Sequence, residues 1–185
     1  GVFKYFEEIC QVPRPSKKEE KIIAYLKAFG AKHNLETKVD EAGNVLIKKP
    51  ATPGKENLQT VVLQSHIDMV CEKNNDVQHD FLTDPIETEI DGEWLKAKGT
   101  TLGADNGIGV ATELAILADD SIEHGPLECL FTVDEETGLT GAFELKEGFM
   151  SGDILLNLDS EDEGEIFIGC AGGIDSVAEF AYKEV

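Results

Sequence analysis

A histidine and an aspartate follow an apolar run in the segment 63–70, which reads LQSHIDMV. The run Val61–Leu63 is typical of a strand buried on both faces. Residues two apart in an extended chain point to the same side, so His66 and Asp68 face one site. There the carboxylate can orient the imidazole toward a metal ion. Taken alone, this pair more often marks a turn that carries a surface histidine, so its significance depends on other residues.

Further acidic residues occupy comparable positions, after apolar runs or in a loop that opens a helix: Asp105, Glu135, Glu136 and Asp159. One interpretation is a solvated acidic face. Carboxylates crowded in a crevice are costly, however, unless cations neutralise them. Zinc accepts histidine nitrogen and carboxylate oxygen, and co-catalytic zinc pairs lie about 3.5–4 Å apart. Of the adjacent Glu135 and Glu136, one can be a metal ligand and the other the base that takes a proton from water.

The elements that must position these residues alternate between strand and helix. The predicted strands cover 37–39 and 45–47 as a hairpin, 59–65, 86–90 and 94–97 as a second hairpin, 127–133 and 154–158, with further extended segments at 166–168 and 178–182. The predicted helices cover the first ten residues, a stretch from a capping box at 16–19 to Asn34, and 107–118. This alternation predicts a three-layer α/β fold with a mostly parallel central sheet. In such sheets the binding crevice lies at the carboxyl ends of the strands.

Composition excludes several function classes. The chain has 185 residues with 16 basic and 37 acidic side chains, a formal net charge of −21, which argues against binding nucleic acid or an anionic membrane. The glycine-rich segment 99–107 has no Lys or Arg, so a phosphate-binding loop is not expected. The four cysteines are far apart, which favours free thiols in a reducing compartment and a cytoplasmic location. We find no membrane-spanning run and no signal peptide.

Five motifs carry a resemblance to a known family: SHIDMVCEKN, KGTTLGADNGIG, TVDEETGLTGA, NLDSEDEG and GCAGG. Together they resemble the aminoacyl-histidine dipeptidases (Xaa-His or PepD-type dipeptidases) of the co-catalytic zinc exopeptidase clan. The resemblance covers essentially the whole chain. It implies a zinc-peptidase-like fold that hydrolyses small Xaa-His dipeptides by a water bridged between two zinc ions, with Co²⁺ or Mn²⁺ as substitutes.

The resemblance also implies a role for each residue. His66 and Asp159 are expected to bind one zinc, Asp105 to bridge both, Glu136 to bind the other, Glu135 to be the general base, and Asp68 to orient His66. We further expect a cis peptide bond at Asp105–Asn106, and a pKa of Glu135 raised by neighbouring acids when metal is absent.

The chain departs from the family in length. Family members are much longer, and their second zinc needs a further histidine from the C-terminal part, which His33, His79 and His124 do not match in motif. They also insert a lid domain after the Gly-Gly segment. We therefore expect residues 1–172 to be the N-terminal part of the catalytic domain and 173–185 to begin the lid. This chain alone is then expected to be inactive.

Other functions remain open at this stage. One is an aminopeptidase or a carboxypeptidase of the same clan. Another, of a different class, is a non-catalytic acidic module that binds only a cation or a partner. The sequence does not select the substrate side chains, the native metal or the oligomeric state, for which a homodimer of the full-length enzyme is one option.

Overall fold

The structure, a computed structural model, describes residues 1–160, 162–169, 172–174 and 176–183. Its helices are α1 (Val2–Cys10), α2 (Glu20–Lys32), α3 (Ala104–Ala118) and α4 (Thr140–Glu144). Its strands are β1 (Glu36–Val39), β2 (Val45–Lys49), β3 (Val61–His66), β4 (Thr88–Asp91), β5 (Trp94–Ala97), β6 (Leu127–Thr132) and β7 (Ile154–Asn157). Within these ranges, no helix combines the length and the apolar character needed to cross a membrane.

Five strands form the central sheet in the order β1-β2-β6-β3-β7. β2 pairs antiparallel with both β1 and β6, whereas β3 pairs parallel with both β6 and β7. β1, β6, β3 and β7 therefore run in one direction and only β2 runs against them, which confirms the prediction of a mostly parallel sheet. The hairpin β4–β5 forms a separate two-stranded sheet.

Alternating side chains of the sheet contribute to two hydrophobic clusters. Val45, Ile47 and Phe131 pack into the larger one, together with the buried faces of α1, α2 and α3. The even-numbered neighbours Leu46 and Leu130 enter a smaller cluster on the other face, formed with Val62 and partly buried residues from 145–150. This alternation follows from the two-residue period of a strand. Helices α1, α2 and α3 therefore cover one face of the sheet.

Helical periodicity explains the buried faces of the helices. In α2 the buried residues include Ile22, Leu26 and Phe29, spaced by four and three. In α1 the buried face includes Phe6 and Cys10, whereas Phe3, three residues before Phe6, is exposed.

The predicted capping box at Ser16–Glu19 is wrong. α2 starts at Glu20 with Glu19 at the cap position, and Lys17 lies in the left-handed region at φ 64°. This local turn directs the Ser16 hydroxyl away from the helix and toward Asp68, to which it donates a hydrogen bond of 2.7 Å. A tertiary partner therefore replaces the local one.

Other sequence predictions have mixed outcomes. Both hairpins are confirmed, although the second turns at Gly92-Glu93. The described residues of 166–168 and 178–182 form no strand, and the short helix α4 was not predicted.

Cys10, Cys71 and Cys129 are free thiols as expected. The prediction for Cys170 lies outside the described residues, as does part of the GCAGG motif. The division into domains at residue 172 stays a prediction.

Candidate metal centre

Three parallel strands of the central sheet end at the same edge and deliver the candidate residues there. His66 is the last residue of β3 and lies in register with Thr132 of β6. Glu135 and Glu136 follow the end of β6, and Asp159 follows the end of β7. The remaining candidate, Asp105, lies at the start of α3, which packs beside β3. The structure thus brings the residues singled out from the sequence to one edge.

The imidazole of His66 is the centre of this group. Its Nε2 lies 3.0 Å from Oδ1 of Asp105 and 3.6 Å from Oδ1 of Asp159. Ligand atoms of His66, Asp105 and Glu136 lie within 4.8 Å of one another. His66 is only 1% exposed, whereas Asp105 is 55% exposed, so the group opens to solvent on the carboxylate side. A cation can therefore reach it from solution.

Asp68 accepts four hydrogen bonds from three different segments. Its Oδ1 lies 3.2 Å from Nδ1 of His66 and accepts a hydrogen bond of 3.0 Å from the backbone N–H of Glu135. Its Oδ2 accepts hydrogen bonds from the Ser16 hydroxyl at 2.7 Å and from the backbone N–H of Glu136 at 3.2 Å. One buried carboxylate therefore orients the imidazole and fixes the loop after β6. When Nδ1–H donates to Asp68, Nε2 is left free to bind a metal ion.

The pKa values of His66 and Asp68 are shifted in opposite directions. Burial favours the neutral form of each side chain, but hydrogen bonds and neighbouring charges have the larger effect. Hydrogen bonds to Asp68 and Asp105, together with the charge of Asp159, raise the pKa of His66 to about 9. Hydrogen bonds from His66, Ser16 and the Glu135 backbone lower the pKa of Asp68 to about 2. The pair is therefore an ion pair in the metal-free protein at neutral pH.

Three carboxyl groups of the site, those of Asp159, Glu135 and Glu136, have pKa values shifted in the opposite direction, upward. Burial, and then repulsion from Asp105, raise the pKa of Asp159 to about 6, although the charge of His66 opposes the shift. The pKa of Glu135 and the pKa of Glu136 are also raised, mainly by burial. The expected rise in the pKa of Glu135 is thus present, but burial is its largest cause, and the neighbouring acids add to it against the opposing charge of His66. A divalent cation would stabilise the ionised form of these buried carboxyl groups, because it would remove their mutual repulsion.

The loop that carries Glu135 and Glu136 is held from inside the protein. Asp134 lies in the left-handed region at φ 49°, and its carboxylate accepts hydrogen bonds from the hydroxyls of Thr137 and Thr140. Its backbone N–H donates to the Glu19 carboxylate at 3.0 Å. Glu19, Asp68 and Asp134 form a second group of neighbouring acids, but these oxygens already accept hydrogen bonds from the protein. This second group therefore supports the loop.

Asn44 anchors both ends of the same loop. Its Oδ1 accepts a hydrogen bond from the backbone N–H of Val133 at 3.1 Å, and its Nδ2 donates to the carbonyl of Gly141 at 2.8 Å. The side chain is fully buried. Because a buried amide must be hydrogen-bonded, this contact fixes the point at which the chain leaves β6 and enters α4.

A second loop presents Asp105. The peptide bond between Asp105 and Asn106 is cis, as expected from the resemblance. The Asn106 side chain accepts a hydrogen bond of 3.1 Å from the backbone N–H of Gly109. Asp105 and Asn106 have non-helical backbone angles, so regular helix begins at Gly107, where the sequence predicted it.

Sequence reasoning missed three supports of the site, namely the buried Glu19 and Asn44 and the partly buried Ser16. Glu19 and Ser16 matched a helix-capping pattern, and Asn44 lay in a predicted hairpin turn. The partners of these residues lie between 52 and 115 residues away along the chain. No local sequence signal identifies these supports, because their partners become neighbours only in the folded chain.

The donor set suits a divalent cation. A neutral imidazole nitrogen with carboxylate oxygens is a combination that zinc, cobalt and manganese accept. The mutual distances of the ligand atoms and the raised pKa values of Glu136 and Asp159 fit such a cation. Asp105 and Asp159 both approach Nε2 of His66, and Asp105 and Glu136 belong with His66 to one group of neighbouring ligand atoms.

The chain is similar to known peptidases. The profile of "Peptidase family M20/M25/M40" matches residues 62–180. The cytosol non-specific dipeptidase of Escherichia coli is 56% identical over 170 residues, which are 92% of this chain and 35% of that protein. The crystal structure of aminoacylhistidine dipeptidase from Vibrio alginolyticus has a TM-score of 0.89 and 57% identity, covering 91% of this chain and 34% of that one.

A more distant crystal structure has a similar fold. Aminopeptidase PepT from Bacillus cereus has a TM-score of 0.73 and 27% identity, with 87% of this chain and 43% of that chain covered. The chain spans about a third of the length of the E. coli and Vibrio relatives.

Proposed function

The chain belongs to peptidase family M20/M25/M40, and from this membership we propose that it forms the metal-binding part of a metal-dependent dipeptidase. The observation that carries the proposal is the convergence of His66, Asp105, Glu136 and Asp159 at one sheet edge, with Glu135 beside them. The similarity to two dipeptidases over more than nine-tenths of the chain supports it. We include a cytosolic location in the proposal, since the E. coli relative is named for the cytosol.

We assign two zinc ions to the site. His66, Asp159 and Asp105 would hold the first, and Asp105 and Glu136 the second. Bound zinc would supply Lewis acidity toward a peptide carbonyl and toward water. Because the first position has three protein ligands among the described residues and the second has two, the first should bind more tightly.

The remaining side chains handle protons and orientation. Glu135 is the general base in this proposal: its raised pKa suits a group that takes a proton from water and returns it to the leaving amine. Asp68 keeps the Nδ1 proton of His66 in place and holds the backbone of Glu135 through the same carboxylate. A shift of Asp68 would therefore move a ligand and the base together.

The substrate class follows the two relatives. One is named a non-specific dipeptidase and the other an aminoacylhistidine dipeptidase. We infer that the protein hydrolyses small dipeptides, among which Xaa-His dipeptides are accepted.

A pair of adjacent variants tests this function in the whole gene product. Glu135→Gln should lower the turnover of Xaa-His dipeptides at least about a hundredfold, the usual contribution of a general base, while bound zinc is unchanged. Glu136→Gln should lower the zinc content as well as turnover. Metal analysis and a dipeptide assay, with and without a chelator, measure both effects. Hydrolysis that survives complete metal removal would refute the proposal. Loss of zinc only in Glu135→Gln would show that Glu135 is the zinc ligand and Glu136 the general base.

A further inference from the structure

Arg14 lies in the connection between α1 and α2 and contacts both segments that carry candidate metal ligands. We propose that it is a positioning residue, whose guanidinium ties the segment carrying His66 and Asp68 to the segment carrying Asp105. The inference rests on the proposed function, because it concerns how the ligands of that metal site are held. Arg14 touches none of the reacting atoms and acts only through the backbone of the two segments.

The hydrogen bonds of Arg14 join the two segments directly. Its Nη1 donates to the backbone carbonyls of Ile67, at 3.1 Å, and Asp68, at 3.0 Å. Its Nη2 donates to the backbone carbonyl of Gly103 at 2.5 Å. The first two carbonyls directly follow His66, and the third lies two residues before Asp105. One rigid group therefore sets the distance between a ligand from β3 and a ligand from α3.

The protein leaves a space that fits this guanidinium. Arg14 is only 3% exposed. A Cβ added at Gly103 would lie 2.5 Å from its Nη2, and one added at Gly107 would lie 2.7 Å from the same atom. Gly103 also has a positive φ of 68°, which favours glycine. At both glycines the guanidinium is the nearest group, ahead of Met69 at Gly103 and Phe6 at Gly107, so the absence of side chains there leaves room for Arg14.

The segment around Arg14 is itself fixed. Prolines flank the arginine, which restricts its backbone, and Pro15 forms an isolated parallel bridge with Met69. Ser16, two residues further on, donates to the Asp68 side chain. The segment 13–16 therefore contacts the His66 segment through both backbone and side chains, and Arg14 extends that contact to Gly103.

Arginine suits this position better than lysine. A guanidinium is planar and presents donors in a fixed fork, whereas an ammonium is a compact point charge. The fork lets Arg14 reach carbonyls on two segments at once. Lysine would keep the positive charge near the acids but lose the link, so Arg14→Lys separates the effect of geometry from the effect of charge.

The experiment compares three variants of the chain. Arg14→Lys removes the fork, and Gly107→Ala pushes into the space of the guanidinium while Arg14 remains. Lys49→Met is the matched control, because Lys49 is also a buried cation and donates to the backbone carbonyls of Ile116 and Asp119. Those carbonyls lie at the other end of α3.

The first measurement needs no metal. Hydrogen–deuterium exchange at residues 66–69 and 103–107 should rise at least about tenfold in Arg14→Lys and in Gly107→Ala, the effect of losing a hydrogen bond to a charged group. Exchange at the centre of the sheet should stay as in the wild type. Lys49→Met should leave both segments protected.

The second measurement uses zinc and cobalt. Competition with a chelator should show zinc affinity lowered about 10- to 100-fold in Arg14→Lys, as for residues that orient metal ligands, and unchanged in Lys49→Met. The visible spectrum of the cobalt form, which depends on ligand geometry, should shift in the Arg14 variant alone.

The outcomes separate the two proposals. Wild-type protection of both segments in the Arg14 and Gly107 variants would overturn the positioning role. A loss of protection spread evenly over the whole sheet, or a failure of both variants to fold, would also overturn it, because Arg14 would then support the fold in general. If the wild-type chain binds no zinc, the proposed metal site fails, while the exchange data still decide the role of Arg14.

Discussion

Glu113 is a carboxyl group sealed inside the protein, on the face of α3 that packs against the sheet. It is fully buried, and neither carboxyl oxygen has a hydrogen-bond partner of good geometry within the described part of the chain. Burial therefore raises its pKa well above the ordinary value, and the nearby Ser65 and Cys129 only partly oppose this shift. A carboxyl whose pKa is higher in the folded state than in the unfolded state binds its proton more tightly when folded. Its contribution to stability is complete below the unfolded pKa and is lost as pH rises.

We predict that Glu113→Gln stabilises the protein at pH 8 by about 1 kcal/mol or more relative to the wild type, because the amide cannot ionise. The difference should shrink toward pH 4, where the wild-type carboxyl is protonated in both states. Urea unfolding at the two pH values measures the effect. Glu147→Gln, at an exposed position, is the control and should change stability little at either pH. A variant less stable than the wild type at pH 8 would contradict this account of Glu113.

The loop between β6 and α4 depends on the side-chain amide of Asn44 for both of its ends. Asn44→Ala should leave the backbone groups of Val133 and Gly141 without their partner and lower the free energy of unfolding by about 1–3 kcal/mol. Because the same loop carries Glu135 and Glu136, metal binding should weaken as well. Denaturant unfolding and a zinc titration test both effects. Asn57→Ala, at an exposed site, serves for comparison. If stability is lost while zinc affinity is unchanged, the position of the proposed ligand Glu136 does not depend on Asn44.

Elements and ligands differ in how far the sequence predicts them. Strands β3, β6 and β7 were predictable because continuous apolar runs mark buried strands, and polar residues directly after them had to meet at one edge. The start of α2 was not predictable, because Ser16 and Glu19 satisfy a local capping pattern equally well. The choice between capping and tertiary contact was decided by Asp68, which lies 52 residues from Ser16. Contacts between residues so far apart in the sequence form only in the folded chain, so local sequence patterns do not predict them.

The whole molecule carries a net charge of −21, and a pH-dependent part of its stability is concentrated around His66. The folded-state pKa of His66, about 9, lies above its ordinary value of 6.5. Its contribution is therefore complete below pH 6.5 and is lost as pH rises toward 9. The contribution of Asp159, whose pKa is raised from 3.8 to about 6, has already been lost by the start of that range.

We predict that the metal-free protein loses roughly 1–3 kcal/mol between pH 6.5 and 9 through His66. Zinc needs the neutral imidazole, so the stabilisation by zinc should grow over the same range, reaching about 2.7 kcal/mol when free zinc is a hundred times the dissociation constant. Thermal unfolding in chelator and in zinc at several pH values measures both trends. His66→Gln should remove the His66 part of the pH dependence and the stabilisation by zinc, whereas His124→Gln should change neither. Equal stabilisation by zinc at pH 6.5 and pH 9 would show that zinc binds elsewhere.

The order of strands in the sheet also has a consequence for synthesis. β6 lies between β2 and β3, yet it is translated after both, beginning 61 residues after the last residue of β3 at His66. While the ribosome makes that interval, β2 and β3 each present an unpaired edge with apolar side chains. Unpaired apolar edges favour association between chains. A nascent chain stopped near residue 120 should therefore bind chaperones or aggregate, whereas one extended past Thr132 by the length of the exit tunnel can close the gap. The strand that completes the sheet is also the one that leads to Glu135 and Glu136, so sheet closure and placement of these two acids occur at the same moment of synthesis.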